Sequence, residues 1–261
     1  MDARYRAITR EVSGSIGRCE LTHVPRVAID VDRAREQHTA YERILVRLGC
    51  ELVRLSEAPD LPDSVFVEDT AIILDELAIT THPGAVSRRA ECRAIEMALR
   101  SFRETACIRS PGTIDGGDVL VLGRRMFIGR SGRTNADAIK QVRRIVEPLG
   151  YQVTAVEVSA CLHLKSAVTG VAESAVLVND AWIDPACFAP LDIVRIDPSE
   201  PYAANALRIG DRLVYPLDFP RTAERLIKRG IHLEPVDLSE LAKAEGAVTC
   251  CSLVFPVSAR S

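Results

Sequence analysis

An α/β fold assembled from small repeated modules stacked around an axis is the class this sequence predicts, on three observations. Short paired strand signals alternate with amphipathic helical stretches along most of the chain. The hairpins begin near Glu68, Gly117, Lys165, Ala206 and Cys250, at intervals of about 41 to 49 residues. Residue identities do not recur, so only the order strand, turn, strand, helix, strand carries the period. A plain doubly wound sheet would also accommodate such alternation.

The elements follow in order. Met1 to Ile16 mixes charged with apolar residues and lacks the apolar stretch of a secretory signal. From Asp32 to Gly49, Ala34, Tyr41, Ile44, Leu45 and Leu48 recur at helical intervals, with a glycine where a helix stops. VFVEDTAIIL and LAITT then read as a hairpin, followed by a helix from Ala90 to Phe102 through Ala94, Ile95, Ala98 and Leu99. DVLVL and RMFIG form the next pair, before a helix from Asn135 to Leu149. SAVTGV pairs with SAVLV, and NALRIG with RLVYP, the latter followed by a helix from Thr222 to Arg229 closed by Gly230. Residues 180 to 202 fit worst, with four prolines and no helical face.

Composition narrows the function. The 261 residues are 47% hydrophobic and 26% charged, ordinary values for a folded chain with a sizeable core. Thirty-three Lys and Arg against 36 Asp and Glu leave no basic field to collect nucleic acid or an anionic bilayer, so a small molecule is the expected partner. No apolar run approaches the roughly 18 residues of a spanning helix. Eight scattered cysteines without a C-x-x-C pair fit reduced thiols and a cytoplasmic location. Neither G-x-G-x-x-G after a strand nor a P-loop occurs, which excludes the usual nucleotide-phosphate cradles. H-E-x-x-H and G-x-S-x-G are also missing, so no obligatory metal or serine nucleophile is expected.

Polar residues gather beside the first strand of each hairpin: Asp63, Glu68 and Asp69; Asp115 and Asp118; His163 and Lys165; Asn205; Cys250. In a ring these ends converge. Each residue has an ordinary alternative: solvated turn carboxylates, a core histidine between Leu162 and Leu164, a buried thiol. Neighbouring Glu68 and Asp69 would point to opposite faces of a strand, so one pocket should receive only one unless the strand ends there. The glycines of the D-G-G-D run, 115 to 118, permit positive φ or close backbone approach. One thiol, one imidazole and several carboxylates from different modules are the makeup of a nucleophilic site.

Six segments together, SVFVED (64 to 69), HPGAVSRRAE (82 to 91), DGGDVL (115 to 120), GRSGRTN (129 to 135), HLKSAV (163 to 168) and VTCCS (248 to 252), resemble dimethylarginine dimethylaminohydrolases of the guanidine-modifying superfamily. The resemblance spans essentially the whole chain, in order. It implies a single domain over 1–261, a five-module α/β propeller whose pseudo-fivefold repeats surround an active-site channel. Arg4 to Glu11 would pair with a strand near the C-terminus to close the ring.

The same resemblance assigns roles. Cys250 would be the nucleophile and Cys251 a bystander. His163 would be the general acid and base, Asp115 the acid supporting it, and Glu68 and Asp69 the guanidinium-facing carboxylates. Asp63, Arg88 and Arg133 would hold the amino acid end of the substrate, with backbone carbonyl contacts at Leu21 and Ala244. The implied reaction converts N-ω-methylated arginine to citrulline plus dimethylamine or methylamine through a cysteine thiouronium, without cofactor or metal. Arginine deiminase, amidinotransferase and ureide hydrolase activities share these groups, and a silent ring-shaped scaffold is the alternative from another class. A homodimer is the base-rate expectation for the assembly.

Overall fold

The computed structural model describes residues 5–257. Each repeat forms a three-stranded sheet whose middle strand runs antiparallel to the strand before it and parallel to the strand after it. The parallel step requires a crossover, and the amphipathic segments supply it.

The first module opens with β1 (Tyr5–Arg10), crosses through α1 (Val31–Arg47) and returns as the parallel β2 (Cys50–Leu55). Asp30 starts that helix by accepting the Arg33 amide, and Ala34, Tyr41, Ile44 and Leu45 turn inward. The second module is β3 (Ala71–Ile73), β4 (Leu77–Thr80), α2 (Cys92–Leu99) and β5 (Glu104–Cys107). In the third, β6 (Val119–Leu122) and β7 (Arg125–Arg130) are followed by α3 (Ala136–Val146) and β8 (Gln152–Glu157). Asn135 caps α3 through the Ala138 amide, and Ile139, Val142 and Val146 pack into an apolar core shared with β6 and β7.

A single helical turn, α4 (Leu164–Ala167), precedes the fourth module: β9 (Val168–Ala172), β10 (Ala175–Val178) and β11 (Asp192–Arg195). Its crossover contains a 3-10 turn, Pro185–Phe188, in place of an α-helix, which is why residues 180 to 202 carry no helical period. The fifth module is β12 (Leu207–Ile209), β13 (Arg212–Pro216), α5 (Pro220–Lys228) and β14 (His232–Val236). After α6 (Ser239–Ala242), β15 (Leu253–Pro256) returns to β1, with Tyr5 opposite Pro256 and Ile8 opposite Leu253. The two ends of the chain thus complete the first sheet and close a five-module propeller; Arg4 lies outside the described residues.

The first strands β3, β6, β9, β12 and β15 all contribute to an axial channel of about 430 Å³. One sequence expectation needs correcting where these strands begin. VFVEDTAIIL reads as a continuous strand, yet Val67–Thr70 is a 3-10 turn and only Ala71–Ile73 pairs. Thr70 Oγ1 closes that turn on the Val67 carbonyl, and the Glu68 amide is taken by the Cys250 carbonyl at 3.1 Å. Gly116–Asp118 and α4 make the corresponding turns before β6 and β9. The chemistry-bearing residues therefore sit on tight turns at one end of the channel rather than on the strands.

Candidate active site

Cys250 lies in a turn after Gly246, its amide bonded to the Ala247 carbonyl at 3.1 Å, and is half-buried. Thr249 holds this turn to two other modules: its amide donates to Asn205 Oδ1 at 3.1 Å and its hydroxyl to Glu68 Oε2 at 2.7 Å. Cys250, His163, Asp69, Asp63, Arg88, Arg133 and Ala244 line one cavity of about 20 Å³, with Glu20, Phe66, Leu162 and Glu245 completing its wall. The thiol, the imidazole and a carboxylate thus come together from three modules.

His163 Nε2 bonds to Asp115 Oδ2 at 3.0 Å, so Asp115 fixes the ring and leaves Nδ1 facing the Asp69 side, 3.8 Å from Asp69 Oδ1. Asp115 is itself held by the Gly84 amide at 2.9 Å. Burial alone would lower the His163 pKa, but Asp69, the hydrogen bond to Asp115 and the nearby Asp118 prevail and raise it to about 9. An imidazolium is therefore the resting form at neutral pH. Burial opposes ionisation of Asp69 too, and His163, Arg88 and the Gly117 amide overcome it, taking that carboxyl down to about 2. The Cys250 thiol moves the other way: burial first, then Glu68 and Asp69, push it well above its usual range. At neutral pH a protonated thiol and an imidazolium line the same cavity.

The D-G-G-D glycines serve close approach. Neither has positive φ, and a Cβ on Gly117 would meet His163 Nδ1 at 2.6 Å and Asp69 Oδ1 at 2.8 Å. The Gly117 amide donates to that same Asp69 oxygen at 3.0 Å.

Three of the expected site residues have partners within the protein or lie off the cavity wall. Glu68 does not face the cavity with Asp69. The 3-10 turn sends its carboxylate into the axial channel, where it pairs with Lys165 and Thr249. Arg88, although it lines the cavity, is buried and tied to the protein. Its Nη1 donates to Asp69 Oδ2 at 2.5 Å, its Nε and Nη2 to Glu91, and Nη2 also to the Asp63 and Phe66 carbonyls. A guanidinium so engaged orients Asp69. Leu21 packs on the core formed with α1 and is not among the cavity's lining residues, whereas the preceding Glu20 is.

The other amino-acid-end residues are better placed. Asp63 lines the cavity and accepts the Glu20 amide at 3.2 Å; burial raises its pKa despite Arg88. Arg133 reaches Thr22 Oγ1 at 3.3 Å and lies 3.6 Å from Asp115. Ala244 lines the cavity as expected, and Cys251 is fully buried, its thiol against the Ala247 carbonyl. Glu91 was missed: burial leads Arg88's opposing pull and raises its carboxyl to about 7. Its place inside a helical stretch gives no signal. Asp118, Lys165 and Asn205 stood at equivalent module positions in the sequence, and here they support the site: Asp118 accepts the Leu164 amide at 2.9 Å and the Ser131 and Thr134 hydroxyls at 2.6 Å.

Asp69, Asp115 and His163 place one donor atom each within 4.8 Å of one another, the spacing of a metal cluster. Arg88, the Gly117 and Gly84 amides and the His163 ring already engage these oxygens, so a cation would have to displace them.

A family model described as N,N dimethylarginine dimethylhydrolase, eukaryotic, matches residues 25–186. The N(G),N(G)-dimethylarginine dimethylaminohydrolase of Streptomyces coelicolor is 41% identical over 249 residues, covering 95% of this chain and 96% of that one. Its Pseudomonas aeruginosa namesake is 36% identical over 228 residues, covering 87% and 90%. A solved structure of the Pseudomonas aeruginosa enzyme, a cysteine-to-serine mutant complexed with citrulline, superposes with a TM-score of 0.92 at 34% identity, covering 97% of this chain and all of that one. The N-terminal domain of ArgZ, a cyanobacterial arginine dihydrolase, shares the fold with a TM-score of 0.85 at 17% identity over 98% of each chain. With a family model over more than half its length and two namesakes above 30% identity, the chain belongs to the dimethylarginine dimethylaminohydrolase family.

Proposed function

We propose that this chain, as one domain over 1–261, hydrolyses N-ω-methylated arginines to L-citrulline and dimethylamine or methylamine, with Cys250 as nucleophile. The observation that carries this reading is the shared cavity of Cys250, His163 and Asp69, in a chain so similar to enzymes of that name. A guanidinium carbon is a weak electrophile because its charge is spread over three nitrogens, so the site must orient it and supply a strong nucleophile. Asp69, ionised down to about pH 2, accepts the planar N–H groups. The arriving cation offsets the carboxylates that hold the thiol protonated, and Cys250 releases its proton to solvent, where the departed amine takes one up.

The thiolate adds to the guanidinium carbon. The bond to the methylated nitrogen then breaks, its electron pair staying on that nitrogen, which takes the proton of the His163 imidazolium through Nδ1. A cationic S-alkylthiouronium remains. The neutral imidazole takes a proton from water as the oxygen adds to the same carbon. The carbon–sulfur bond breaks, the sulfur receives the hydroxyl proton, and citrulline departs with the resting thiol and imidazolium restored. Arg133 and Asp63 are assigned to the substrate carboxylate and α-ammonium. Among the described residues no helix is long and apolar enough to cross a membrane, and the cytoplasmic location and homodimer belong to this proposal.

Parallel incubation with asymmetric dimethylarginine, monomethylarginine and arginine, quantifying citrulline and each amine, tests the reading. Methylamines should be released faster than ammonia, and acid quench should trap an adduct on the peptide containing Cys250. Release of ammonia from arginine as the fastest reaction, or full turnover by Cys250→Ala, would overturn it.

A further inference from the structure

If methylarginines are the substrates, as proposed above, a leaving nitrogen protonated by His163 must lie against the imidazole, and its methyl groups must lie there too. Leu162, the chain neighbour of His163, lines the same small cavity. It also lines a second cavity of about 300 Å³, walled mostly by apolar residues that include Tyr202, Phe219, Leu238 and Val248, with Asp218 among its polar ones. Leu162 and Glu245 are the residues common to both cavities.

These two boundary residues differ in freedom. Glu245 is anchored, its carboxylate accepting the Thr22, His23 and Val24 amides at 2.8, 2.5 and 3.1 Å. Leu162 is half-buried, lies outside any helix or strand, and belongs to none of the five apolar cores. Phe66, the other large apolar wall of the small cavity, is held fast: it is buried, and a Cβ on Gly246 would fall within 2.2 Å of its ring. Leu162 is thus the apolar wall beside the imidazole with open volume behind it.

We propose that Leu162 is a specificity-determining partition on the leaving-group side. It bounds the space for the N-methyl groups and separates them from an apolar chamber able to take longer N-alkyl chains. A wall of this kind discriminates by about tenfold or more for each methylene it admits or refuses.

The test compares kcat/KM for N-ω-methyl-, N-ω,N-ω-dimethyl- and N-ω-butyl-arginine. Leu162→Ala should raise the butyl substrate about tenfold or more relative to the dimethyl one. Adding Ala242→Phe, which fills the chamber from an exposed wall position, should remove that gain while leaving dimethyl turnover of the otherwise unchanged chain within about twofold. Leu162→Phe narrows the space instead and should depress dimethyl relative to monomethyl turnover by about tenfold, which keeps the test alive should the shortened variant fail to fold. A uniform loss on all three substrates, a butyl gain that survives Ala242→Phe, or an unchanged dimethyl-to-monomethyl ratio in Leu162→Phe overturns the partition. An unsubstituted chain inactive on both methylarginines fails the parent reading and the partition with it; an active chain without these shifts fails the partition alone.

Discussion

At the scale of single residues, the site is governed by where the charge sits before substrate arrives. Carboxylates that attract a guanidinium also oppose a thiolate, and burial adds to that opposition at Cys250. The thiol should therefore titrate well above the ordinary cysteine range in the empty enzyme and fall when a non-reactive cationic arginine analogue is bound. Ultraviolet thiolate absorbance, with Cys250→Ser as the blank, measures both midpoints; identical midpoints would reject substrate-assisted ionisation. Arg88 makes a second case. Tied to Asp69 and Glu91, it acts by aiming a carboxylate at the guanidinium, so Arg88→Lys should lower kcat by about tenfold or more, with KM changing less. A rise in KM at unchanged kcat would return Arg88 to the substrate carboxylate. The motifs placed Arg88 in the site but not what it touches: its partner Asp69 lies 19 positions away, and Glu91 looks like any helix-surface acid.

The elements explain what could and could not be read beforehand. Tyr41, Ile44 and Leu45 of α1, and Ile139, Val142 and Val146 of α3, announce their helices because one face is buried and the other solvated. The tight turns before β3, β6 and β9 leave no such period. The residues of the first two are all buried, and the single turn before β9 is too short to show a face, so VFVED simply extends the apolar pattern of the strand after it. That is why the placement of Glu68 and Asp69 could not be read: the alternation expected of a strand does not govern the 3-10 turn that carries them. Gly117 tests the turn at β6. An added methyl must push against His163 and Asp69, a small-to-large change costing about 1–3 kcal/mol where packing is tight. Gly117→Ala should lower kcat/KM by about a hundredfold, because a displacement near 1 Å is enough to spoil a reacting geometry. Activity within threefold of the parent would show that imidazole and carboxylate have room to spare.

For the whole molecule, one ring brings every module's first turn to the same end of the channel, so charges distant in sequence share a buried site and stability becomes linked to pH. The signs follow from the directions of the shifts. Asp69, lowered from 3.8 to about 2, contributes stability that is present above pH 3.8 and lost as pH falls towards 2. His163, raised from 6.5 to about 9, contributes stability that is present below 6.5 and lost as pH rises towards 9. Glu91, raised from 4.5 to about 7, also favours the protonated fold, and its contribution disappears between those values. The three together predict a maximum in unfolding free energy at about pH 4 to 4.5, with a fall on the acid side and an alkaline decline that starts as Glu91 ionises and continues through the His163 range. Urea denaturation from pH 3 to 9.5 gives the profile, and His163→Asn should flatten the alkaline decline between 6.5 and 9 and shrink the acid limb as well, because the imidazolium leads the charges that hold Asp69 down. An alkaline limb unchanged by that substitution would mean that the imidazolium held among Asp69, Asp115 and Asp118 does not couple the site to the fold.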